Sequence, residues 1–377
     1  MSPFNQDDRN DLPVGLPVDL PSAANLLGSA QAKANVNIAL IKYWGKAESE
    51  TNLPAVGSLS LTLDEWGSET QVTWFTSTDA SLAKHRFILN GQEKSDAKVE
   101  RLLEHLLQLA ESHHHPWAKP KQVWAQVNSI NTVPTASGLA SSASGMAALG
   151  LAAWSALGWS NPLEATLNDD FTPPAHKLID LVRIGSGSAV RSLLGGLVRL
   201  ERDGQTMKQL QVANEWPLAL VVCVVDPGPK AVSSREGMER TRQTSPYYQA
   251  WVDSHEADLD EAEKAVQQKD LSRLGELMEH STFKMHSVMW SARPPLRYVK
   301  GTSLEALDQV ESIRQAGIQA WATMDAGPHV KVLCFQKDIA YISEQLKKVK
   351  GLHSCIVRYP GQAAHILKRA PIIGKDS

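Results

Sequence analysis

The chain has 377 residues, of which 42% are hydrophobic and 21% charged. That is long enough for two packed cores and fits a soluble globular protein, which excludes a disordered or fibrous one. Its 38 basic and 41 acidic residues leave a formal net charge of −3, so nothing draws the whole chain to nucleic acid or an acidic membrane surface, and any polyanion must be held by a local site.

Residues 1–28 are rich in Pro, Asp and Asn without periodicity and read as an N-terminal arm. Residues 1–10 lack the basic-then-apolar order of an export signal, so a cytoplasmic location is expected. From Ala32 an apolar run reads as a strand that ends in a cationic turn. Further strands are expected at 58–63, 70–75, 86–89 and 122–127, with an alternation that fits antiparallel pairing. Residues 99–110 place Leu102, Leu103, Leu106, Leu107 and Leu109 at helical spacing. A loop rich in glycine and serine then runs into an alanine-rich helical pattern up to Trp154. Residues 161–176 form a turn-rich insertion, strand character returns at 197–201, and 203–216 lack strong periodicity. These features divide the chain into an arm (1–28), a first domain (29–212) and a second domain (213–377).

The second domain opens on a buried strand at 218–225, too short to span a bilayer. Helices follow at 255–268, 271–285 and 304–316, strands at 319–324 and 330–335, a helix at 339–349 and a last strand near Ile356. This is a ferredoxin-like alternation, and the whole is α+β. Cys223, Cys334 and Cys355 are widely spaced with no C-x-x-C arrangement and are expected to be buried thiols of a reducing compartment.

The loop Pro134-Thr-Ala-Ser-Gly-Leu-Ala-Ser-Ser-Ala has the composition of a phosphate cradle. Small residues let backbone approach a polyanion, and the unpaired N–H groups of the following helix point at it. Ser141, Ser142 and Ser144 add hydroxyls that can cap the helix, bind phosphate oxygens or reach magnesium. In Lys42-Tyr43-Trp44-Gly45-Lys46, two cations flank a tight turn and offer point charges to phosphate, or simply a solvated strand end. Arg183-Ile-Gly-Ser-Gly-Ser-Ala-Val-Arg interleaves arginines with serines and glycines; Arg191 suits a planar carboxylate, with Ser186 and Ser188 nearby. Ser233 and Ser234 either cap a helix or hold a ligand. Asp325, where an apolar strand stops before Gly327-Pro328, is a turn-former or a carboxylate projecting into a cleft, able to orient or deprotonate a hydroxyl. His113, His114 and His115 are consecutive, so their side chains diverge, and they make a poor metal cluster.

Taken in chain order, Asn-Ile-Ala-Leu-Ile-Lys-Tyr-Trp-Gly-Lys, Pro-Thr-Ala-Ser-Gly-Leu-Ala-Ser-Ser-Ala, Arg-Ile-Gly-Ser-Gly-Ser-Ala-x-Arg-Ser, Ser-Ser-Arg-x-Gly-Met and Asp-Ala-Gly-Pro resemble the diphosphomevalonate decarboxylases. These belong to the galactokinase, homoserine kinase, mevalonate kinase and phosphomevalonate kinase superfamily, and the likeness covers residues 34–361. The resemblance implies a two-domain small-molecule kinase fold with the active site in the cleft between a phosphate-loop domain and a ferredoxin-like domain. It implies an ATP- and Mg2+-dependent lyase of isoprenoid biosynthesis, cytoplasmic and homodimeric, that converts mevalonate 5-diphosphate into isopentenyl diphosphate.

Under that resemblance Asp325 and Lys42 act on the C3 hydroxyl, and Arg191 and Ser188 grip the substrate carboxylate. Tyr43, Lys46 and Ser186 bind the diphosphate, with Ser234 as a further candidate. Pro134, Ser137, Gly138, Leu139, Ala140, Ser141 and Ser142 hold ATP, and Ser141 or Ser142 reaches the metal. Gly57 stands where many relatives carry serine. The arm, the insertion at 161–176 and the Tyr359-Pro-Gly-Gln segment have no assigned counterpart. Two alternatives remain open at this level: a sister activity on mevalonate 5-monophosphate or a 3-kinase, against which Lys46 argues, and a catalytically silent metabolite sensor, against which Asp325 and Arg191 argue.

Overall fold

A computed structural model describes residues 24–77, 84–113, 115, 123–133, 141–159, 162, 173–228 and 231–370. The chain begins with β1 (Ala24–Ile41), β2 (Lys46–Glu48), β3 (Leu53–Pro54), β4 (Ser58–Ser77), β5 (Arg86–Leu89) and β6 (Gln92–Lys94). Helix α1 (Ala97–Ser112), β7 (Val123–Asn131), α2 (Ser141–Ala156) and α3 (Pro173–Gly185) follow, then a 3-10 turn at Gly187–Leu193, β8 (Leu197–Leu200) and β9 (Met207–Gln211). The second half holds β10 (Leu218–Val224), α4 (Ser234–Thr244), α5 (Tyr248–Gln267), α6 (Leu271–Trp290) and α7 (Gly301–Gln315). It ends with β11 (Ala320–Met324), β12 (Val330–Phe335), α8 (Ile339–Leu346), β13 (Ser354–Arg358) and β14 (His365–Ala370).

The first sheet runs β14-β1-β4-β7-β5-β6, with β8 on β4 and β9 on β8; the second runs β11-β12-β10-β13. One core lies under the first sheet, where Leu102, Leu103 and Leu106 of α1 and the alanine face of α2 meet Val72, Trp74 and Val127. Another joins the two sheets, setting Ile38, Leu40, Leu59 and Leu61 against Leu220, Leu259, Leu274 and Met278. Burial at this seam is what fixes β1 and β4 relative to α5 and α6, and the active-site segments hang from its edge.

The structure departs from the sequence reading in four places. The strands expected at 58–63 and 70–75 are one long strand, bent where its register with β1 shifts between Asn35 and Asn37 and Glu65 takes a φ of +52°. Strand β5 pairs with β7 in parallel; side-chain alternation is the same in either direction and cannot distinguish them. Residues 203–216 contain β9, hydrogen-bonded to β8. Strand β14, in the C-terminal part of the chain, joins the first sheet beside β1. Cys223 and Cys334 are buried and Cys355 half-buried, all three as free thiols.

Candidate active site

The cationic turn after β1 is clamped from the second domain. The Lys42 backbone N–H donates to Ser281 Oγ (3.0 Å), Trp44 Nε1 to Thr241 Oγ1 (2.9 Å) and Trp251 Nε1 to the Trp44 carbonyl (3.0 Å). Gly45 sits at φ +103°, and a Cβ there would strike the Tyr248 hydroxyl, so the turn requires glycine. From this turn Lys42 reaches Asp325, while Tyr43 and Lys46 both reach Asn52.

Lys42 Nζ donates to Asp325 Oδ1 at 2.7 Å and to the Ala39 carbonyl at 2.9 Å. Asp325 leaves the end of β11, where the Gly327 N–H closes a turn onto its carbonyl (2.8 Å). The Lys42 side chain is 1% exposed and the Asp325 side chain 26%, and both line the same cavity. Burial pushes Lys42 down to about 8 against the pull of Asp325. Burial also works to raise Asp325, but Lys331 and Lys42 outweigh it and hold the carboxyl well below its ordinary range. A carboxylate so stabilised is a weak base and a firm hydrogen-bond acceptor.

Arg191, on the 3-10 turn, is buried. Its Nε and Nη2 donate to Asn37 Oδ1 (3.2 and 3.0 Å), and Nη1 donates to Ser58 Oγ (2.9 Å). Burial lowers it to about 10, still cationic at neutral pH. Asn37 in turn donates to the Ser188 carbonyl and Ser192 Oγ, tying the arginine to its own turn. The Tyr43 ring lies 5.6 Å from the guanidinium, and Gly187 permits this approach, since a Cβ there would meet the Tyr43 hydroxyl.

The third corner gathers around Asn52, fully buried at φ +55°. Its Nδ2 donates to the carbonyls of Arg183 (2.9 Å) and Ile184 (2.8 Å), and its Oδ1 accepts from Lys46 Nζ (2.5 Å) and Arg235 Nη2 (3.3 Å). Burial and the charge of Arg235 push Lys46 down to about 8.

All these groups line one cavity of about 480 Å³: Asn37, Lys42, Tyr43, Lys46, Asn52, Ser142, Ser186, Ser188, Arg191, Ser234, Arg235 and Asp325. A narrower cavity shares Ser142 and is walled by Phe87, Leu89, Val99, Asn131 and Met146. With the exception of Ser144, the sequence-derived site residues that the structure describes with their side chains therefore converge. Pro134, Ser137, Gly138, Leu139 and Ala140 lie outside the described residues, and Ser141 is described only as the first residue of α2; most of the insertion at 161–176 also lies outside.

One assignment changes. Ser144, offered as a phosphate or magnesium hydroxyl, is buried and bonded to Ser68 Oγ at 2.9 Å. Of the two readings open for Ser233, the structure shows the cap of α4, accepting from the Glu236 N–H at 3.2 Å, and Ser233 also lines the cavity. Gly57 is explained by packing: a Cβ would press on Leu259 Cδ2, and its N–H and carbonyl are held by Glu256 and His255.

Asn37, Asn52, Arg235 and Lys331 were not assigned from sequence. Lys331 left one signal. It is a lone cation in the otherwise apolar strand Val330-Lys-Val-Leu-Cys-Phe335, and a buried lysine requires a partner.

The comparisons with known proteins concern the whole chain. A family model described as the diphosphomevalonate decarboxylase-like N-terminal domain matches residues 34–211, and one for the mevalonate 5-diphosphate decarboxylase C-terminal domain matches residues 220–368. The diphosphomevalonate decarboxylase of Candida albicans is 33% identical over 92% of this chain and 93% of its own; the Homo sapiens protein of that name is 29% identical over 83% and 78%. Among solved structures, the mevalonate diphosphate decarboxylase of Staphylococcus aureus superposes with TM-score 0.77 at 35% identity, covering 91% of this chain and 98% of its own. A complex of MDDEF with MVAPP, AMPPCP and magnesium superposes with TM-score 0.76 at 38% identity, covering 91% and 100%. By sequence and fold, the chain belongs to the diphosphomevalonate decarboxylase family.

Proposed function

We propose that this chain is an enzyme that decarboxylates mevalonate 5-diphosphate with ATP, giving isopentenyl diphosphate, carbon dioxide, ADP and inorganic phosphate. The observation that carries this reading is the convergence, in one cavity, of an ionised Asp325, a buried Arg191, a cation cluster at Lys46 and Arg235, and the start of α2 at Ser142. These are the four kinds of partner that a substrate with a hydroxyl, a carboxylate, a diphosphate and a nucleotide to meet would need.

In the first step the C3 hydroxyl oxygen attacks the γ-phosphorus of ATP, the bond to the bridging oxygen breaks, and ADP leaves with its electron pair. Asp325 accepts the hydroxyl hydrogen bond, and Lys42 faces the developing charge. Because the transition state is loose, the hydroxyl becomes strongly acidic only once the new O–P bond is largely made, so a weak base in the right place suffices. In the second step the C1–C2 bond breaks, its electron pair forms the C2=C3 double bond, and phosphate leaves C3. Arg191 and Ser188 hold the carboxylate in line with that C–O bond. Tyr43, Lys46, Ser186, Ser234 and Arg235 hold the diphosphate. Positioning and fixed charge carry the rate.

The narrower cavity, apolar on Phe87, Leu89, Val99 and Met146 with Asn131 at its edge, suits a nucleotide base beside the phosphate loop. Magnesium keeps most of its waters and takes one or two protein ligands in nucleotide sites; Ser142 lines the cavity, and Ser141 and Ser142 are the residues that would supply them. When bound, the ion offsets charge on the β- and γ-phosphates. Among the described residues no helix is long and apolar enough to cross a membrane. The family resemblance further supports a cytoplasmic homodimer, which light scattering on the full chain and cell fractionation would test.

With ATP, magnesium and the diphosphate substrate, one carbon dioxide per ADP is expected. Phosphorylation without gas release, or equal turnover of the 5-monophosphate, would overturn the reading. The Asn52 carboxamide joins Lys46 and Arg235, so Asn52→Gly, which tolerates the positive φ, leaves both cations unanchored. We expect KM for the diphosphate substrate to rise about 5- to 100-fold, the cost of unsatisfied buried polar groups, with kcat little changed. Initial-rate kinetics with both substrates reads this out directly.

A further inference from the structure

Six residues beyond Asp325, strand β12 carries Lys331, whose side chain is 1% exposed. Its Nζ lies 2.8 Å from Asp325 Oδ2, while Lys42 takes Oδ1 at 2.7 Å. The two lysines grip opposite oxygens of one carboxylate but differ in position. Lys42 lines the catalytic cavity, and Lys331 is not among the residues that line it. A group that is screened from substrate acts through the one it touches.

We propose that Lys331 is a positioning residue for the reaction, pinning the second oxygen of Asp325 so that the carboxylate keeps its plane and its charge while the C3 hydroxyl is held for attack. The inference deepens the functional reading above and rests on it for the identity of that hydroxyl. Held by Lys42 alone, the carboxylate would be free to turn about its Cβ–Cγ bond, and in-line phosphoryl transfer tolerates little displacement of the groups that aim the nucleophile.

The charges around the cluster come from four more sides: Lys42 from the turn after β1, Arg191 from the 3-10 turn, Asp325 itself from the end of β11, and His286 from α6. Burial pushes His286 down to about 4, so it stays neutral. Removing Lys331 therefore deletes one of the cations acting on Asp325 and one like charge acting on Lys42. Both groups then titrate at higher pH. Asp325 starts so far down that it stays ionised across the working range, whereas an alkaline limb that requires protonated Lys42 moves up. Loose packing alone would lower the rate without moving that limb upward.

The test uses Lys331→Met and Lys331→Gln in the full chain, alone and with Asp325→Asn. We expect Lys331→Met to lower kcat about 10- to 100-fold, with KM for either substrate within about threefold and the alkaline limb of kcat shifted upward. In the Asp325→Asn background the same substitution is expected to have little further effect, since its target is gone. Unchanged kcat and alkaline limb, or losses that multiply in the double variant, overturn the proposal.

A second measurement is independent of substrate and of the folding of the Lys331 variants. In ligand-free protein with 13Cγ-labelled aspartate, assigned through Asp325→Asn, the Asp325 carboxyl is expected to stay ionised at pH values where ordinary carboxyls titrate. Ordinary titration in the wild-type chain overturns the inference even if carbon dioxide is released. Anomalous ionisation without carbon dioxide from the diphosphate leaves the Lys331 pairing standing and sinks the functional reading instead.

Discussion

Asp325→Asn is expected to lower kcat by about 10²- to 10⁴-fold, the range for loss of a positioned proton acceptor, while KM for both substrates stays within a few-fold. The amide keeps the shape of the carboxylate but loses the charge that both lysines hold, and its NH2 group now faces an ammonium or the hydroxyl it should accept from. Because Asp325 is held well below the usual carboxyl range by Lys331 and Lys42 in spite of burial, the wild-type side chain is ionised throughout the working range. The loss is therefore expected at every pH and not as a shifted limb.

The substitution has a second consequence. Lys42 and Lys331, each 1% exposed, are left without a counter-charge, and breaking a buried pair in this way costs about 3–5 kcal/mol. The least costly response is for Lys42, already lowered by burial, to give up its proton, so melting of the variant is expected to rise toward wild type with increasing pH. Carbon dioxide release, substrate binding and thermal melts on the same sample separate the two effects. Turnover near wild type would remove Asp325 from the reaction.

The parts of the site that were legible in the sequence are those whose chemistry is local. A glycine turn between two lysines, a strand that stops at an aspartate, and an arginine among serines each announce a residue out of keeping with packing. Their partners were not legible, because a partner is defined by the fold. Asn37 and Arg191 are 154 positions apart and meet through two hydrogen bonds to one oxygen; Asn52 and Arg235 are separated by 183. Lys331 was concealed by strand alternation, where one polar residue reads as a solvent-facing position until both faces are known to be covered. Similarly, the parallel β5–β7 pairing and the return of β14 to β1 depend on long-range connections that periodicity does not encode.

Arg191→Lys is expected to lower kcat/KM by about 30- to several thousand-fold, corresponding to about 2–5 kcal/mol for truncating one side of a buried, hydrogen-bonded charge pair. The donor count explains why lysine does not substitute. A guanidinium has five N–H bonds. Nε and one hydrogen of Nη2 serve Asn37, and one hydrogen of Nη1 serves Ser58, which leaves one hydrogen on each terminal nitrogen as a parallel pair for a carboxylate. One ammonium cannot hold Asn37, Ser58 and two substrate oxygens together.

The arginine's contribution must also differ between the two steps. During decarboxylation the carboxylate charge flows out toward C2 and the departing phosphate, so an ion pair that only gripped the carboxylate would oppose the reaction. Its value lies in holding the C1–C2 bond in line with the breaking C3–O bond, an orientation effect. A variant that binds but misaligns should therefore phosphorylate more often than it decarboxylates, and the ratio of ADP to carbon dioxide, expected at one in the wild type, should exceed one in Arg191→Lys and Arg191→Gln. A ratio that stays at one with unimpaired kcat/KM would assign the carboxylate to some other side chain.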